Sequence, residues 1–224
     1  MEGGELMPSF DYKTNPIIYY PDSITVDTHE CTIEDIPENE RPVKGMAKCI
    51  RCEANDQNSG NGTQYIDFGE ITIYRDKDFS IDFWFNTTSK NHSRIIDFTI
   101  GNNEGIRYDT DGCTGTPFVN INNGGGWSFG DSRRNHWNHF CWQYISAWRM
   151  QRFYFNGKLE QEYTLDVQDT VFPYTYLGRC SVSSDPMINC RYAGIRLQYG
   201  LVYNNLDARS LKYFNTTLSN LKTT

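Results

Sequence analysis

Along residues 78–86, DFSIDFWFN, apolar and polar positions alternate, with Phe79, Ile81, Phe83 and Phe85 in one parity and Asp78, Ser80, Asp82 and Trp84 in the other. A period of two predicts a β-strand with one buried face. Further strand-like runs follow. RIIDFTI (94–100) ends at Gly101-Asn102-Asn103, GIRYDTDG (105–112) breaks at Gly112, and PFVNIN (117–122) meets the loop Asn123-Gly124-Gly125-Gly126-Trp127. NHWNHFCWQYI (135–145) sets Phe140, Trp142 and Tyr144 on one face, and YTYLGR (174–179) and AGIRLQYGLVYN (193–204) come later. Only DARSLKYF (207–214) reads as a short helical turn. Strands at this spacing, separated by Gly/Asn turns and lacking amphipathic helices, predict an all-β antiparallel sandwich or barrel.

The stretch FYFNGKLEQE (153–162) places Asn156-Gly157 between β-forming runs. Both residues tolerate the positive φ of a tight turn, so the pair marks a hairpin, with Lys158 on its solvent flank. The register stays open. A two-residue turn sets Tyr154 opposite Leu159, and a three-residue loop with Gly157 left-handed sets Phe153 opposite Leu159.

Residues 1–16, with Pro8 and Pro16, read as an N-terminal arm, 17–216 as a single domain and 217–224 as a C-terminal tail. Within 17–61, Ile17 to Tyr20 and Val43 to Ile50 supply strands either to the main sandwich or to a separate docking segment. A chain of 224 residues buries roughly 70–75% of its unfolded surface, so it needs neither metal nor disulfide merely to fold. No apolar run approaches the ~20 residues of a membrane helix, which argues against membrane insertion.

Charge is uneven. The first 66 residues hold 12 acidic and 5 basic residues and the remainder 16 of each, so the whole net charge of −7 sits in the first 66. No basic stripe of the kind that binds phosphates is present, which argues against a nucleic-acid partner. The acidic segment is read as a solvated surface in preference to a docking arm.

The start, MEGGELMPSF, has neither a basic nor an apolar region of a secretory leader. Seven cysteines cannot close completely into internal pairs. Together these predict synthesis in a reducing cytoplasm with free thiols. Four Asn-x-Ser/Thr triplets, at Asn61, Asn86, Asn91 and Asn215, are as many as chance supplies in so Asn- and Thr-rich a chain, and no glycosylation is read from them.

The order of the pieces carries a resemblance. DFSIDFWF, NHWNHFCWQY, RFYFNGKLE, YLGR and AGIRLQYGLVYNNLDARSL, preceded by GTQYIDFG (62–69), resemble the laminin-G-like, concanavalin A-like group of jelly-roll domains over about residues 62–215. The resemblance implies two packed antiparallel sheets closed by a short helical turn. It does not imply one function, because such domains bind sugars, bind proteins, hydrolyse glycans or serve as spacers.

Retaining glycan hydrolysis needs two carboxylates about 5 Å apart on one face. No Glu-x-Asp-x-x-Glu or Glu-x-x-Asp-x-Glu arrangement occurs. Asp78 and Asp82 share a parity with Trp84 and are read as solvent-facing acids, and His136 and His139 as structural residues of their strand, so the chain is read as a non-enzyme.

Two metal sites are weighed. His29, Cys31, Cys49 and Cys52 are a zinc set that would staple the N-terminal segment to the sandwich, but the usual second spaced pair is missing, and buried or free thiols are the simpler reading. Asp109 and Asp111 resemble half of a calcium loop, and laminin-G-like domains often hold calcium at a rim. The competing reading is an ordinary Asp-Gly bend. Calcium is therefore the one cofactor considered, and none is required.

The glycine-rich loop NNGGGWSFGD (122–131) lacks the Gly-Lys-Ser/Thr ending and following helix of a phosphate cradle. Indole faces stack on sugar rings and Asn or Asp side chains bond hydroxyls, so Trp127 with Asn122, Asn123 and Asp131 is the candidate ligand patch, set against a Trp127 folded back onto the core. Trp148 in SAWRMQR is a second exposed aromatic. The resulting expectation is a non-catalytic recognition or adhesion module for a glycan or host-surface ligand. The alternatives are a structural subunit docked to other proteins of an assembly and, last, a glycan hydrolase. A cytosolic product resembling an extracellular module fits a virion or phage particle released by lysis, or another non-classical route to the outside.

Overall fold

The computed structural model describes residues 17–19, 26–43, 45–53, 63–89, 93–101, 104–110, 117–121, 126–128, 135–164, 168–181 and 188–200. The expected arm (1–16) and the 207–214 turn lie outside them.

The larger sheet is built from β1 (Ile17–Tyr19), β2 (Thr32–Asp35), β3 (Lys48–Cys52), β6 (Phe79–Thr87), β11 (Asn138–Ile145), β12 (Met150–Phe155), β13 (Lys158–Thr164) and β16 (Cys190–Gln198). Its order is β13-β12-β11-β6-β16-β3-β2, with β1 added beside β16. The second sheet holds β4 (Ile66–Asp67), β7 (Ser93–Gly101), β8 (Glu104–Thr110), β9 (Pro117–Ile121), β10 (Gly126–Ser128) and β15 (Tyr174–Leu177), in the order β10-β9-β8-β7-β15-β4. A two-stranded ribbon pairs β5 (Ile71–Ile73) with β14 (Thr170–Phe172). Among the described residues every pairing is antiparallel except β1 with β16. β1, β2 and β3 therefore belong to the larger sheet, a placement the sequence left open.

The two sheets pack through their apolar parities. Phe83, Phe85, Phe140 and Trp142 of the larger sheet meet Ile66, Ile96, Phe98 and Leu177 of the smaller, all within 1% of full burial. Trp142 meets Phe98 edge-on, with ring centroids 6.1 Å apart. Each such side chain contributes roughly 1.5–3 kcal/mol by leaving water, and aromatic pairs at these separations add to it.

The single buried face expected of β6 is a misreading. Ser80, Asp82 and Asn86 are buried as well as the phenylalanines. Part of the outer face is covered by the segment before β3, where Ile36 and Met46 pack on Cys49, Trp84 and Ala193, with Val43 and Trp137 beside them. Periodicity reports which residues share a face. It cannot report that chain from elsewhere lies over the second one.

The hairpin adopts the two-residue register. Asn156 (φ 47) and Gly157 (φ 78) form the turn, Phe155 faces Lys158 and Tyr154 faces Leu159, and a bulge shifts the ladder so that Phe153 meets Gln161. Asn156 is also tied to β11: its N–H donates to the His139 carbonyl at 2.8 Å, and its side-chain oxygen accepts from the His139 N–H at 2.8 Å.

Candidate functional site

On β15, Thr175 and Leu177 are buried while Tyr174 and Tyr176 alternate outward, so this strand puts two phenols on the outer face of the six-stranded sheet. Tyr174 is 43% exposed. Register sets Tyr176 beside Asp67 of β4 on one side and Asp97 of β7 on the other. Asp97 is covered by Ser181, whose backbone N–H and hydroxyl donate to it at 2.7 and 3.1 Å.

A tight turn brings in the other half of the patch. The Cys31 N–H bonds the Thr28 carbonyl at 2.8 Å, Glu30 takes a left-handed φ of 53°, and the His29 N–H donates to Asp27 Oδ1 at 3.0 Å. Asp27 and Asp67 exchange two backbone hydrogen bonds, which docks this turn against β4. The His29 ring stacks on Tyr65 with centroids 4.1 Å apart, and its Nε2 lies 3.7 Å from Asp27 Oδ2 and 3.8 Å from Asp67 Oδ2.

Tyr65 meets Tyr176 edge-on at 5.4 Å, and Tyr176 meets Tyr174 at 6.2 Å. Arg179, just past the left-handed Gly178 (φ 86), lays its guanidinium 4.4 Å from the Tyr65 centroid and 5.3 Å from that of Tyr176. Its Nε has no hydrogen-bond partner among the described residues, so ring faces hold the cation. Burial, then the Asp67 carboxylate, push the Tyr176 phenol above its usual pKa, keeping a neutral hydroxyl that both donates and accepts. The result is a tyrosine ridge with carboxylates at its foot.

A second polar cluster lies on the outer face of the larger sheet. Asp82 takes Arg196 Nε on Oδ1 at 2.7 Å and Nη2 on Oδ2 at 3.0 Å, and His139 Nε2 lies 3.1 Å from Oδ2. The sequence reading of Asp82 as solvent-facing is overturned, because its side chain is 7% exposed. Burial alone would raise its pKa, but Arg196 and His139 outweigh burial and hold the carboxyl below its ordinary value. Cys141 stands directly opposite Asp82, and its thiol is pushed well up by burial and by that carboxylate. A thiol kept protonated is a poor nucleophile, so this Cys-His-Asp neighbourhood acts as a paired buried network. Asp78, also expected in solvent, accepts from the Ser146 N–H and hydroxyl at 2.9 and 2.8 Å, fixing the turn after β11.

The four proposed zinc ligands do not converge on one point, although the Cys31 and Cys52 sulfurs lie 3.2 Å apart. His29 sits against Tyr65, and Cys49 and Cys52, three apart on a flat strand, point to opposite faces: Cys49 packs with Ile36 and Trp84, and Cys52 joins the inter-sheet core. Burial, and after it Glu34, push the Cys49 thiol up to about 11. Among the described residues no group of three or more His, Cys, Asp or Glu is placed to hold a metal ion. Asp109 lies within β8, in register with Arg94 and Phe118, and the Asp111-Gly112 pair expected to bend lies outside the described residues. Asp111, Asn122, Asn123 and Asp131 lie outside the described residues. The backbone of Trp127 is in β10, opposite Val119 at the edge of the smaller sheet. Trp148 is 45% exposed on the turn between β11 and β12, with the Arg152 guanidinium 5.4 Å from its ring. Trp127 is thus in a strand of the smaller sheet, and Trp148 in a turn joining two strands of the larger one.

The tyrosine ridge was missed from sequence. YTYL carries a visible alternation, but the partners of Tyr176 arrive from residues 27–29, 65–67 and 179, and spacing gives no sign of that meeting.

A family profile described as the concanavalin A-like lectin/glucanases superfamily matches residues 59–197. No curated protein sequence matches significantly. Among solved structures, the binding domain of Paraclostridial mosquitocidal protein 1 is similar at a TM-score of 0.58 and 12% identity, covering 87% of this chain and 48% of its own. The botulinum neurotoxin serotype D binding domain gives 0.55 at 12% identity, covering 87% and 47%. The binding domain of botulinum neurotoxin DC, solved with rat synaptotagmin II, gives 0.55 at 13% identity, also covering 87% and 47%. The chain spans about half the length of these structures, and at such identity the likeness is one of fold. Sheet order, inter-sheet core and a profile match over more than half of the residues agree, and the chain belongs to the concanavalin A-like lectin/glucanases superfamily.

Proposed function

We propose that this chain is a non-catalytic binding module that takes a glycan on the outer face of its six-stranded sheet. The observation that carries the reading is the ridge of Tyr174, Tyr176 and Tyr65, exposed at one end and braced by Arg179. Sugar rings present C–H faces that pack on phenols, while Asp27, Asp67 and His29 offer acceptors and donors for hydroxyls. The reading gains support from the family, and from the fold that the chain shares with domains described as binding domains, one of them solved with a protein, synaptotagmin II.

The test is a broad glycan array probed with the purified protein, with calcium and again with chelator, alongside Tyr174→Ala and Trp127→Ala. Saturable binding lost in Tyr174→Ala and kept in Trp127→Ala supports the ridge. Loss only in Trp127→Ala moves the site to the glycine-rich loop, and absence of binding by folded protein overturns the reading.

A second reading, a docking subunit of a larger assembly, is favoured by β2. It ends the path of the larger sheet, and its Ile33 is 62% exposed. An edge strand with an exposed apolar side chain is a ready surface for another chain. Light scattering that shows a monomer, together with glycan binding, would set this reading aside.

A further inference from the structure

Three cysteines form a row across the larger sheet. The β2–β3 register pairs Thr32 with Arg51 and Ile33 with Ile50, so one step back along the chain Cys31 comes level with Cys52. Cys52 is in turn directly opposite Cys190 on β16. The Cys31 and Cys52 sulfurs are 3.2 Å apart, and both side chains lie at the inter-sheet core. Gly178 borders the same space: a Cβ there would come 3.5 Å from Cys52 Sγ. Cys190 lies in the same core, but its thiol is engaged with the backbone, donating to the Arg191 carbonyl at 3.6 Å. Of the three, Cys31 alone is partly open to solvent.

The geometry points to a covalent cross-link: Cys31 and Cys52 form a disulfide when the folded protein meets a small-molecule disulfide such as oxidised glutathione. The Cys31 thiolate attacks one glutathione sulfur, the glutathione S–S bond breaks, and one glutathione leaves as its thiolate and takes up the proton that Cys31 gave to solvent. Cys52 then gives up its proton, attacks the Cys31 sulfur of the mixed disulfide and expels the second glutathione, which takes that proton. Two protein thiols are oxidised, and one glutathione disulfide is reduced to two thiols.

The order of attack follows from burial. Cys52 is fully buried, and its thiol is held up by its hydrogen bond with Cys31 and by desolvation, so it reacts second and sets the rate. Closing 3.2 Å to the ~2 Å of an S–S bond takes only a small side-chain shift. The bond fastens the turn that carries Asp27 and His29, whose neighbour Cys31 already bonds the Tyr65 carbonyl at 3.5 Å, onto β3. The cross-link stands whether or not the tyrosine ridge binds a glycan.

The test is peptide mapping of the full chain after equilibration with reduced and oxidised glutathione near pH 8, acid quench, alkylation and trypsin digestion without reductant. Cleavage after Lys48 and Arg51 separates Cys49 from Cys52. The expected result is one reductant-sensitive species joining the Cys31 and Cys52 peptides, formed equally well in Cys190→Ser. The oxidised protein should also melt roughly 5 °C or more above the reduced one, since the closed loop restricts the unfolded chain. Recovery of Cys31 as a glutathione adduct with Cys52 alkylated, or a Cys52–Cys190 link with Cys31 free, overturns the proposal.

Discussion

Asp82 and Arg196 face each other across β6 and β16 as a two-point ion pair, Oδ1 to Nε at 2.7 Å and Oδ2 to Nη2 at 3.0 Å. With His139 at 3.1 Å, the pair converts a buried charge, otherwise very costly, into a satisfied network. Asp82→Asn leaves the guanidinium, 17% exposed, without its counter-charge, and should cost about 3–5 kcal/mol. The double variant Asp82→Leu/Arg196→Met should cost less than Asp82→Asn alone. Urea denaturation of the variants checks this, and losses that simply add would show that the two groups are not coupled.

The same pair predicts a pH dependence. The Asp82 carboxyl is depressed in the folded protein, so its contribution is complete above the unfolded value of about 3.9 and fades as pH falls through the folded one. The stability gap between wild type and Asp82→Asn should therefore be level from pH 7 to 5 and narrow below about pH 4. A gap that narrows between pH 7 and 5 would place the linkage elsewhere.

At the hairpin, Gly157 has φ of 78° and Asn156 of 47°. A β-carbon is disfavoured in that region, so Gly157→Ala should cost about 1–2 kcal/mol. Asn156→Gly keeps the backbone freedom but loses the acceptor for the His139 N–H, and should cost roughly 0.5–1.5 kcal/mol. Thermal melts of the two variants decide the ranking.

Thiol labelling of the reduced native protein should be ordered by exposure. Cys31 is partly open, whereas Cys49 and Cys141 are buried with their thiols pushed up, and the thiolate is the reacting form. Maleimide at pH 7 should modify Cys31 at least ~10-fold faster than Cys49 or Cys141. Equal rates, read by timed mass spectrometry, would mean that the fold opens on the labelling timescale.

Arg179 between Tyr65 and Tyr176 predicts a stability effect without a hydrogen bond. Arg179→Gln removes the cation from both rings and should cost about 0.5–2 kcal/mol, with Arg179→Lys in between. If both variants match wild type in denaturant midpoint, the stacking is ornamental and the ridge is held by its strands alone.

The alternation in DFSIDFWFN, the Phe140/Trp142/Tyr144 parity and the Asn-Gly turn by themselves determined that this chain is an all-β sandwich, because side-chain parity along a strand is a local property. Only the tertiary structure decided the hairpin register, the joining of β1, β2 and β3 to the larger sheet, and the burial of the second face of β6. Those outcomes depend on which segments lie against one another, and parity names a face without naming what covers it. For the same reason Asp82 read as a surface acid until Arg196, 114 positions away, came beside it. His29 was likewise weighed only as one member of a zinc set, and no spacing signals that its ring stacks on Tyr65, in a ridge drawn from four separate stretches of chain.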